Sequence, residues 1–318
     1  ELGLFEKLFE VGPCSSQNFA KNTKMDHRYL REWLLALSAA GYVSYDSKTE
    51  FFSLSDEQYS VLGDENSPSL MIGGFENLVG AVHNYQLIKQ NFKLGEGTEW
   101  GSLHPCCLSG SARFFKPAYS IFLINKWLPS IKGAITTLTE GGSFADVGCG
   151  FGHSTTMIAE QFPQSSIRGI DPHDQSIHEA RKIAEQKNLN NLSYEVASAE
   201  TYSGEYDIIS FFDCLHDMGD PVAAVSYAKT RLSKGGALMI IEPYASDEVS
   251  QNFNIIGQMY YSFSTIACVP ASKSQKGGMA LGAQAGLKKL TNILNDGGFS
   301  QVEMTYKTAS NMVIEAKA

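Results

Sequence analysis

The chain has 318 residues, which is more than one typical hydrophobic core requires and predicts two domains. Hydrophobic residues make up 43% and charged residues 19%, so a globular protein is indicated and disorder is excluded. A formal net charge of −9 gives no attraction towards nucleic-acid phosphates or anionic lipid. No apolar run reaches the roughly 18 residues of a membrane span. We therefore expect neither a membrane nor a nucleic acid as a partner.

The cysteines form no CxxC pair and show no metal-ligand spacing. Free thiols in a reducing cytoplasm explain them best, and the sequence predicts no metal site. Because the chain begins without Met inside a helical pattern, we expect residues to be missing upstream, and we see no signal peptide. The six cysteines are Cys14, Cys106, Cys107, Cys149, Cys214 and Cys268.

Residues 1–62 predict a winged-helix domain, because helical patterns are followed by a short hairpin. Ser15 and Asp26 are the expected N-caps of the second and third helices, and Gly41 is expected to end the third. The helical patterns cover residues 2–11, the surroundings of Phe19, and residues 29–40, and the two strands of the hairpin cover residues 42–45 and 50–54.

Residues 63–140 predict a helical connector, and residues 141–318 predict a doubly wound α/β domain. The aromatic residues of the connector are expected to pack in a core more often than to line a pocket. The last two strands are separated by four residues, too few for a parallel crossover, so they must form an antiparallel hairpin. The predicted strands cover residues 143–147, 167–170, 192–196, 206–212, 236–241, 301–306 and 311–316.

The first of these strands runs into a glycine-rich turn and then a helix. Such a turn lets the backbone approach a ligand, and the N–H groups at the helix start can hold an anion. Asp171 closes the next strand, where a carboxylate can accept both hydroxyls of a ribose. A dinucleotide fingerprint needs Gly at position 153, where this chain has His153. The spacing therefore predicts S-adenosylmethionine as the cofactor, with the carboxylate of its methionine moiety at the helix start.

Cofactor contacts are predicted along the carboxyl ends of four strands. Asp146 either supports the glycine loop or contacts the amino group of the methionine moiety, and both roles stay open. Ser198 and Ala199 follow the third strand, where this type of fold contacts adenine. The predicted cofactor-binding residues are Asp146, Gly148, Cys149, Gly150, His153, Ser154, Asp171, Pro172, Ser198, Ala199, Phe212 and Asp213.

The fourth strand delivers a histidine to the edge of the sheet at which ligands bind in open α/β folds. His216 is the candidate general base, because deprotonating a hydroxyl acceptor accelerates transfer and histidine titrates near neutral pH. Asp217 is expected either to orient His216 or to cap a helix. Asp220 is expected to cap the helix that begins at Pro221.

These motifs resemble known families. The segment Asp146-Val-Gly-Cys-Gly-Phe-Gly152, the acidic end of the second strand and the final hairpin resemble class I S-adenosylmethionine-dependent methyltransferases over residues 143–318. The N-terminal winged helix and Leu215-His216-Asp217 also resemble the small-molecule O-methyltransferases of plants and bacteria. That resemblance implies a catalytic His216, S-adenosylhomocysteine as product, and a homodimer formed through the N-terminal domain.

A closer resemblance is to a bacterial group whose members are often labelled transcriptional regulators or uncharacterised methyltransferases. It rests on Phe212-Asp-Cys-Leu-His-Asp-Met-Gly-Asp-Pro221, on Glu242-Pro243 and on Gly282-Ala-Gln-Ala-Gly286. It spans nearly the whole chain. The resemblance to this group does not identify the methyl acceptor.

The insertion 243–286 follows the fifth strand and is too apolar to be disordered, so it predicts a partly helical lid. Together with aromatic residues of the connector it predicts an apolar pocket for a small aromatic or lipophilic acceptor.

Two alternatives to an enzyme remain. One is a DNA-binding regulator that senses the cofactor, and the other is a cofactor-binding protein without transferase activity. The first is disfavoured because residues 1–62 carry six basic against nine acidic side chains. Dimerisation through the apolar residues Leu4, Phe5, Leu8 and Phe9 is the favoured use of the N-terminal domain.

Overall fold

A computed structural model of the protein describes residues 2–317, which divide into two compact units. One unit runs up to Asn77 and includes Ser109–Pro117, and the other comprises Leu78–Leu108 and the chain from Ala118 onwards. The predicted connector, residues 63–140, therefore contributes to both units. Its delimitation as a separate segment stays a prediction.

The first unit contains the helices and the hairpin of a winged helix. The side chain of Ser15 accepts a hydrogen bond from the N–H of Asn18, and Asp26 caps the third helix in the same way. Gly41 follows that helix with φ +79°, a conformation that favours glycine. The predicted caps and stop are confirmed. The elements are α1 (Leu4–Val11), α2 (Ser16–Thr23), α3 (His27–Ala39), β1 (Ser44–Asp46), β2 (Phe51–Ser53) and α4 (Asp56–Leu62).

The apolar face of α1 packs within this unit. Leu8 is fully buried, and Leu4, Phe5 and Phe9 pack against the cluster that it joins. Leu4, Phe5 and Phe9 nevertheless stay partly exposed, so dimerisation through this face stays a prediction.

The second unit is built on a seven-stranded sheet whose first five strands are parallel. The last two form the expected antiparallel hairpin, with β9 inserted between β7 and β8. The strand order is β5-β4-β3-β6-β7-β9-β8. The strands are β3 (Ser143–Val147), β4 (Ser166–Asp171), β5 (Leu192–Val196), β6 (Tyr206–Phe212), β7 (Leu232–Pro243), β8 (Gln301–Lys307) and β9 (Asn311–Lys317).

Helices cover the sheet and form the insertion. Pro117 lies inside α7, and the chain continues after it in a π-helical stretch, Tyr119–Trp127; a second π-helical stretch is Ser264–Cys268. The α-helices are α5 (Ile72–His83), α6 (Tyr85–Leu94), α7 (Pro105–Ala118), α8 (Leu128–Ser130), α9 (Ala134–Thr139), α10 (His153–Gln161), α11 (Asp174–Gln186), α12 (Pro221–Arg231), α13 (Ile255–Phe263), α14 (Val269–Ser274) and α15 (Leu287–Asp296).

The main core lies on the central strands of this sheet. Both faces of β6 are buried. A strand that is covered by helices on each side needs a nearly continuous apolar sequence, and β6 has one. The carboxyl ends of β3, β4, β6 and β7 consequently meet at one edge. Within residues 2–317, no helix is both long and apolar enough to cross a membrane.

Candidate functional site

The turn after β3 depends on glycine. Gly148, Gly150 and Gly152 have φ angles of +80°, +52° and +72°. A Cβ atom at Gly152 would lie 2.2 Å from the hydroxyl of Tyr194, whereas one at Gly150 would meet open space. The backbone at Gly150 is therefore accessible to a ligand, while Gly152 is fixed by close packing.

The helix that follows this turn begins after a glycine, which has no side chain with which to cap it. Gly152 occupies the N-cap position of α10, and His153 is the first helical residue. A helix N-terminus suits a carboxylate, as the predicted contact with the methionine moiety requires.

Asp171 ends β4 beside the same turn. One carboxylate oxygen accepts the N–H of Gly150 at 2.9 Å, and the other accepts the N–H of His173 at 2.8 Å. Burial raises the pKa of Asp171, and the two backbone hydrogen bonds oppose that shift. Each oxygen keeps a further lone pair, which matches the two hydroxyls of a ribose. The open backbone at Gly150, the N-terminus of α10 and this carboxylate fit S-adenosylmethionine. Pro172, next in the chain, is exposed.

Asp146 is completely buried in β3 and serves the loop. Its carboxylate accepts hydrogen bonds from the hydroxyls of Ser154 at 2.6 Å, Thr155 at 2.7 Å and Ser210 at 3.1 Å. These contacts tie the start of α10 and the strand β6 to β3. These three contacts are those expected of a residue that supports the loop, and a contact with the amino group of the methionine moiety stays a prediction.

The segment after β5 forms a turn. The hydroxyl of Ser198 lies 2.9 Å from that of Thr201, and Ser198 is exposed. Ala199 packs against the main core. The thiol of Cys149 is also buried, and burial raises its pKa well above the usual range. Neither Ala199 nor Cys149 offers a polar side chain to an adenine, so only their backbone groups and shape are available.

Asp213 has a strained backbone at the end of β6, with φ +50°. Its carboxylate accepts hydrogen bonds from the hydroxyl of Tyr119 at 3.2 Å and from the amide of Asn311 at 3.0 Å. Burial, and then the charge of Glu242, raise the pKa of Asp213 to about 8. The preceding Phe212 is buried against Tyr119. The side chains of Phe212 and Asp213 thus contribute to a buried network behind the site.

His216 lies in the short helical turn after β6 and is 3% exposed. Its Nδ1 atom is in hydrogen-bond contact with one oxygen of Glu242, and its backbone N–H donates to the other oxygen at 3.3 Å. Burial lowers the pKa of His216, but the carboxylates of Glu242 and Asp217 raise it more strongly, and the net pKa lies well above its usual range. Glu242 therefore fixes the ring through Nδ1, and Nε2 faces away from Glu242.

Two further groups face Nε2 of His216. One carboxylate oxygen of Asp217 lies 3.3 Å away, and the thiol of Cys268 lies within 4.8 Å of donor atoms of both residues. Burial raises the pKa of Asp217, and the His216 charge opposes this. Asp217 therefore contacts His216 directly, as expected of an orienting residue. Asp220 instead caps α12 by accepting the N–H of Ala223, as predicted.

The insertion is tied to the loop that carries His216. The amide of Gln275 donates to the backbone oxygen of Asp217 at 2.9 Å, and the hydroxyl of Ser272 donates to that of Met218 at 2.7 Å. Part of the connector contacts α14, the helix that contains Ser272, because the backbone N–H of Thr98 donates to the backbone oxygen of Pro270 at 3.0 Å. The insertion therefore packs on the His216 loop, and the residues around Thr98 pack on the insertion.

Sequence reasoning missed Glu242 and Cys268 as members of the site. Glu242 was visible as an acidic residue at the end of a predicted strand, which is the signal that identified Asp171. Cys268 gave no signal, because it lies in a helical insertion far from His216 in the sequence.

Residues 138–298 match the family model of a methyltransferase domain, and residues 1–63 match an Rv2258c-like winged helix-turn-helix domain. The chain belongs to the methyltransferase family. The predicted fold class, the winged helix, the enzyme class and S-adenosylmethionine as cofactor are thereby confirmed at the level of the family.

Known proteins agree with this membership. The ubiquinone biosynthesis O-methyltransferase of Acinetobacter baylyi is 26% identical over 153 residues, which are 46% of this chain and 60% of that relative. The match thus spans less than two thirds of the relative's length.

Two solved structures share the fold over nearly the whole chain. Human N-acetylserotonin methyltransferase in complex with SAM has a TM-score of 0.71 at 14% identity and covers 99% of this chain and 90% of its own. The O-methyltransferase NcsB1 of neocarzinostatin biosynthesis was solved with S-adenosyl-L-homocysteine and 1,4-dihydroxy-2-naphthoic acid. It has a TM-score of 0.60 at 16% identity and covers 100% of this chain and 93% of its own. At these identities the likeness shows the fold.

Proposed function

We propose that this protein is an O-methyltransferase that uses S-adenosylmethionine and acts on a small aromatic or lipophilic molecule, with His216 as the general base. The observation that carries the proposal is the contact between Nδ1 of His216 and Glu242 at the carboxyl edge of the sheet. This contact directs Nε2 away from Glu242, and Nε2 can accept a proton once the pH exceeds the raised pKa of His216.

The cofactor, when bound, supplies a methyl group that is already activated on a sulfonium. The protein's own contribution is to position the acceptor and to take its proton. Nε2 of His216 accepts the proton of the acceptor hydroxyl, and the carboxylate of Glu242 stabilises the imidazolium that results. The burial of His216 excludes water and strengthens this electrostatic interaction.

The proposed cofactor contacts divide by type. The N-terminus of α10 at His153 and the backbone at Gly150 would hold the methionine moiety, and Asp171 would hold the ribose hydroxyls. Asp146 and Ser154 would support this loop from behind.

A small aromatic or lipophilic acceptor is supported by the surroundings of the His216 loop. Tyr119 and Tyr260 are large aromatic residues that are buried in the same unit, and the insertion packs on the loop through Gln275. The compound names of the similar proteins, an acetylated serotonin and a dihydroxynaphthoic acid, support the same class.

The acceptor class can be tested with methyl-labelled S-adenosylmethionine and a panel of phenols, naphthols and 1,4-dihydroxy-2-naphthoic acid. Label recovered in a methyl ether of a panel compound would support the proposal. Label recovered only in protein or nucleic acid would contradict it.

We also propose that two copies of the chain associate through α5 and α6. No residue of α6 is buried within residues 2–317, although the helix carries several apolar side chains. Large apolar surfaces of this kind mark interaction sites, and a second copy presents the same surface. The exposed residues on these two helices include Leu78, Val79, Val82, Tyr85, Leu87, Phe92 and Leu94.

The location of the protein and its alternative function rest on other observations. Cys14, Cys149, Cys214 and Cys268 are free thiols, and on that basis we propose a cytoplasmic location. The regulator that senses the cofactor remains the alternative function, because the N-terminal match is to a winged helix-turn-helix domain. Salt-sensitive retention of the protein on duplex DNA would favour it.

A further inference from the structure

Three side chains of different chemistry meet at the turn that carries His216. His216, Asp217 and Cys268 each offer one ligand atom, and these atoms all lie within 4.8 Å of one another. His216 and Cys268 are buried, and Asp217 is partly exposed. A nitrogen, an oxygen and a sulfur donor therefore share one small volume at the edge of the sheet.

The separations suit a single tetrahedral ion. With bonds of about 2.0–2.3 Å, neighbouring ligands of a tetrahedral Zn²⁺ lie roughly 3.3–3.7 Å apart. The Nε2 atom of His216 and the Oδ1 atom of Asp217 are already separated by 3.3 Å. The sulfur of Cys268 lies within 4.8 Å of the other donors and therefore has to move by at most about 1.5 Å to complete three ligands.

The outer contacts of His216 also match those of a metal ligand. Histidines that bind a metal through one ring nitrogen usually donate the other N–H to a carboxylate, which fixes the ring and its tautomer. Glu242 holds Nδ1 of His216 in this way. Glu242 therefore supplies the additional carboxylate that usually orients a metal-binding histidine.

The two segments that carry the donors are fixed to each other. Gln275 and Ser272 bond to the backbone oxygens of Asp217 and Met218, and Cys268 immediately precedes the helix that contains Ser272. The backbone segments that carry the donors are thus held together before any ion binds, and the remaining adjustment is that of the Cys268 side chain.

We propose that His216, Asp217 and Cys268 form a binding site for a zinc-type divalent ion. The mixture of imidazole, carboxylate and thiolate favours Zn²⁺ or Co²⁺ over Mg²⁺ and Ca²⁺, which prefer oxygen ligands alone. On binding, the thiol of Cys268 and the protonated ring of His216 each release one proton to solvent, and the ion forms bonds to Sγ, Nε2 and a carboxylate oxygen. Three protein ligands leave a fourth position for water.

A bound ion would occupy the nitrogen that accepts the proton in methyl transfer. Zinc is therefore expected to inhibit transfer reversibly, and a chelator is expected to restore it. This consequence rests on the proposed function, whereas binding of the metal does not.

The test uses Co²⁺ as a spectroscopic substitute for zinc in the full chain after removal of metals with a chelator. We expect a near-ultraviolet thiolate-to-cobalt band together with the visible bands of tetrahedral cobalt, and we expect Zn²⁺ to abolish both. No such bands in the unmodified protein would overturn the proposal. Because no acceptor is present, this result is independent of whether the protein transfers methyl groups.

Two cysteine variants identify the ligand. Cys268→Ala is expected to lose the thiolate band, and Cys14→Ala, which removes a buried thiol from the other unit, is expected to keep it. A thiolate band that persists in Cys268→Ala would overturn the assignment. Should Cys268→Ala fail to fold, Asp217→Asn provides the second variant, with an expected loss of about 10-fold or more in cobalt affinity. Unchanged cobalt affinity in Asp217→Asn would exclude Asp217 as a ligand and overturn the proposed site.

Discussion

Glu242 holds both the ring and the backbone of His216, with one carboxylate oxygen at Nδ1 and the other accepting the backbone N–H at 3.3 Å. Glu242 lies in β7, and His216 lies in the turn after the neighbouring strand β6, so both are at the carboxyl edge of the sheet. This arrangement selects the tautomer that leaves Nε2 as a base. The first prediction concerns this pair.

Glu242→Gln is expected to slow methyl transfer roughly 10- to 100-fold, the range seen for residues that orient a histidine through its second nitrogen. The pKa of His216 is lowered by burial but raised further by Glu242 and Asp217, so transfer should fail as pH falls through that raised pKa. Without the charge of Glu242, the pKa of His216 falls. The acid limb of the pH–rate profile should therefore move to lower pH, although the maximal rate is smaller.

The matched control is Glu248→Gln, an exposed carboxylate in the segment that follows β7. It is expected to leave both the rate and the pH profile unchanged. An acid limb that stays in place in Glu242→Gln would contradict the role assigned to Glu242.

Asp171→Asn is expected to weaken S-adenosylhomocysteine binding by about 10-fold or more, since a hydrogen bond to a charged group contributes about 1.5–3 kcal/mol. The substitution also places an amide near the N–H groups of Gly150 and His173, which Asp171 now accepts. Isothermal titration calorimetry measures this change. Asp174→Asn, an exposed residue in the first turn of α11, is the control. Equal losses of S-adenosylhomocysteine affinity in both variants would contradict the ribose contact assigned to Asp171.

Asp213→Asn is expected to change how stability depends on pH. In the folded protein the pKa of Asp213 is about 8, above its value of 3.8 in an unfolded chain. Between these two pH values the folded state binds the additional proton, so this residue makes the protein less stable as pH rises.

The variant lacks this titration. Its stability relative to the unmodified protein should therefore increase between about pH 4 and pH 8, by at most about 1.4 kcal/mol per pH unit. Urea unfolding at several pH values measures the difference. A difference that is independent of pH would show that Asp213 is ionised in the folded state throughout this range.

The double variant Val82→Glu and Phe92→Glu is expected to convert a dimer into a monomer. Both side chains are 73% exposed in this chain, on α5 and α6, and charges are unfavourable in a buried apolar interface. Light scattering after size-exclusion chromatography reports the mass. Val196→Glu on the edge strand β5 is the control, and a monomer already present in the unmodified protein would contradict the proposed interface.

The sequence predicted those parts of the fold that rest on local patterns. Strand β3 with its glycine turn, and the hairpin of β8 and β9, are read from glycine positions, apolar alternation and the shortness of the final connection. Asp171 followed from its spacing after Gly148. His216 followed from its place after a buried strand.

The remaining parts depend on contacts between distant segments. Cys268 reaches His216 only because the insertion folds back and its helix bonds to the loop through Ser272. The three hydroxyls on Asp146 come from α10 and β6, so the sequence left its role open. The pattern of α1 does not reveal that its apolar stripe packs partly within its own unit, and the use of this stripe as an interface stays a prediction.

The central claim is that His216 is the base of an S-adenosylmethionine-dependent transfer, and His216→Ala tests it most directly. The unmodified protein and the variant are compared for S-adenosylhomocysteine binding and for transfer of labelled methyl groups to a phenol that the unmodified protein methylates. The expected result is nearly unchanged binding with transfer slowed roughly 10²- to 10⁴-fold, the contribution of a general base. Undiminished transfer by His216→Ala would contradict the account.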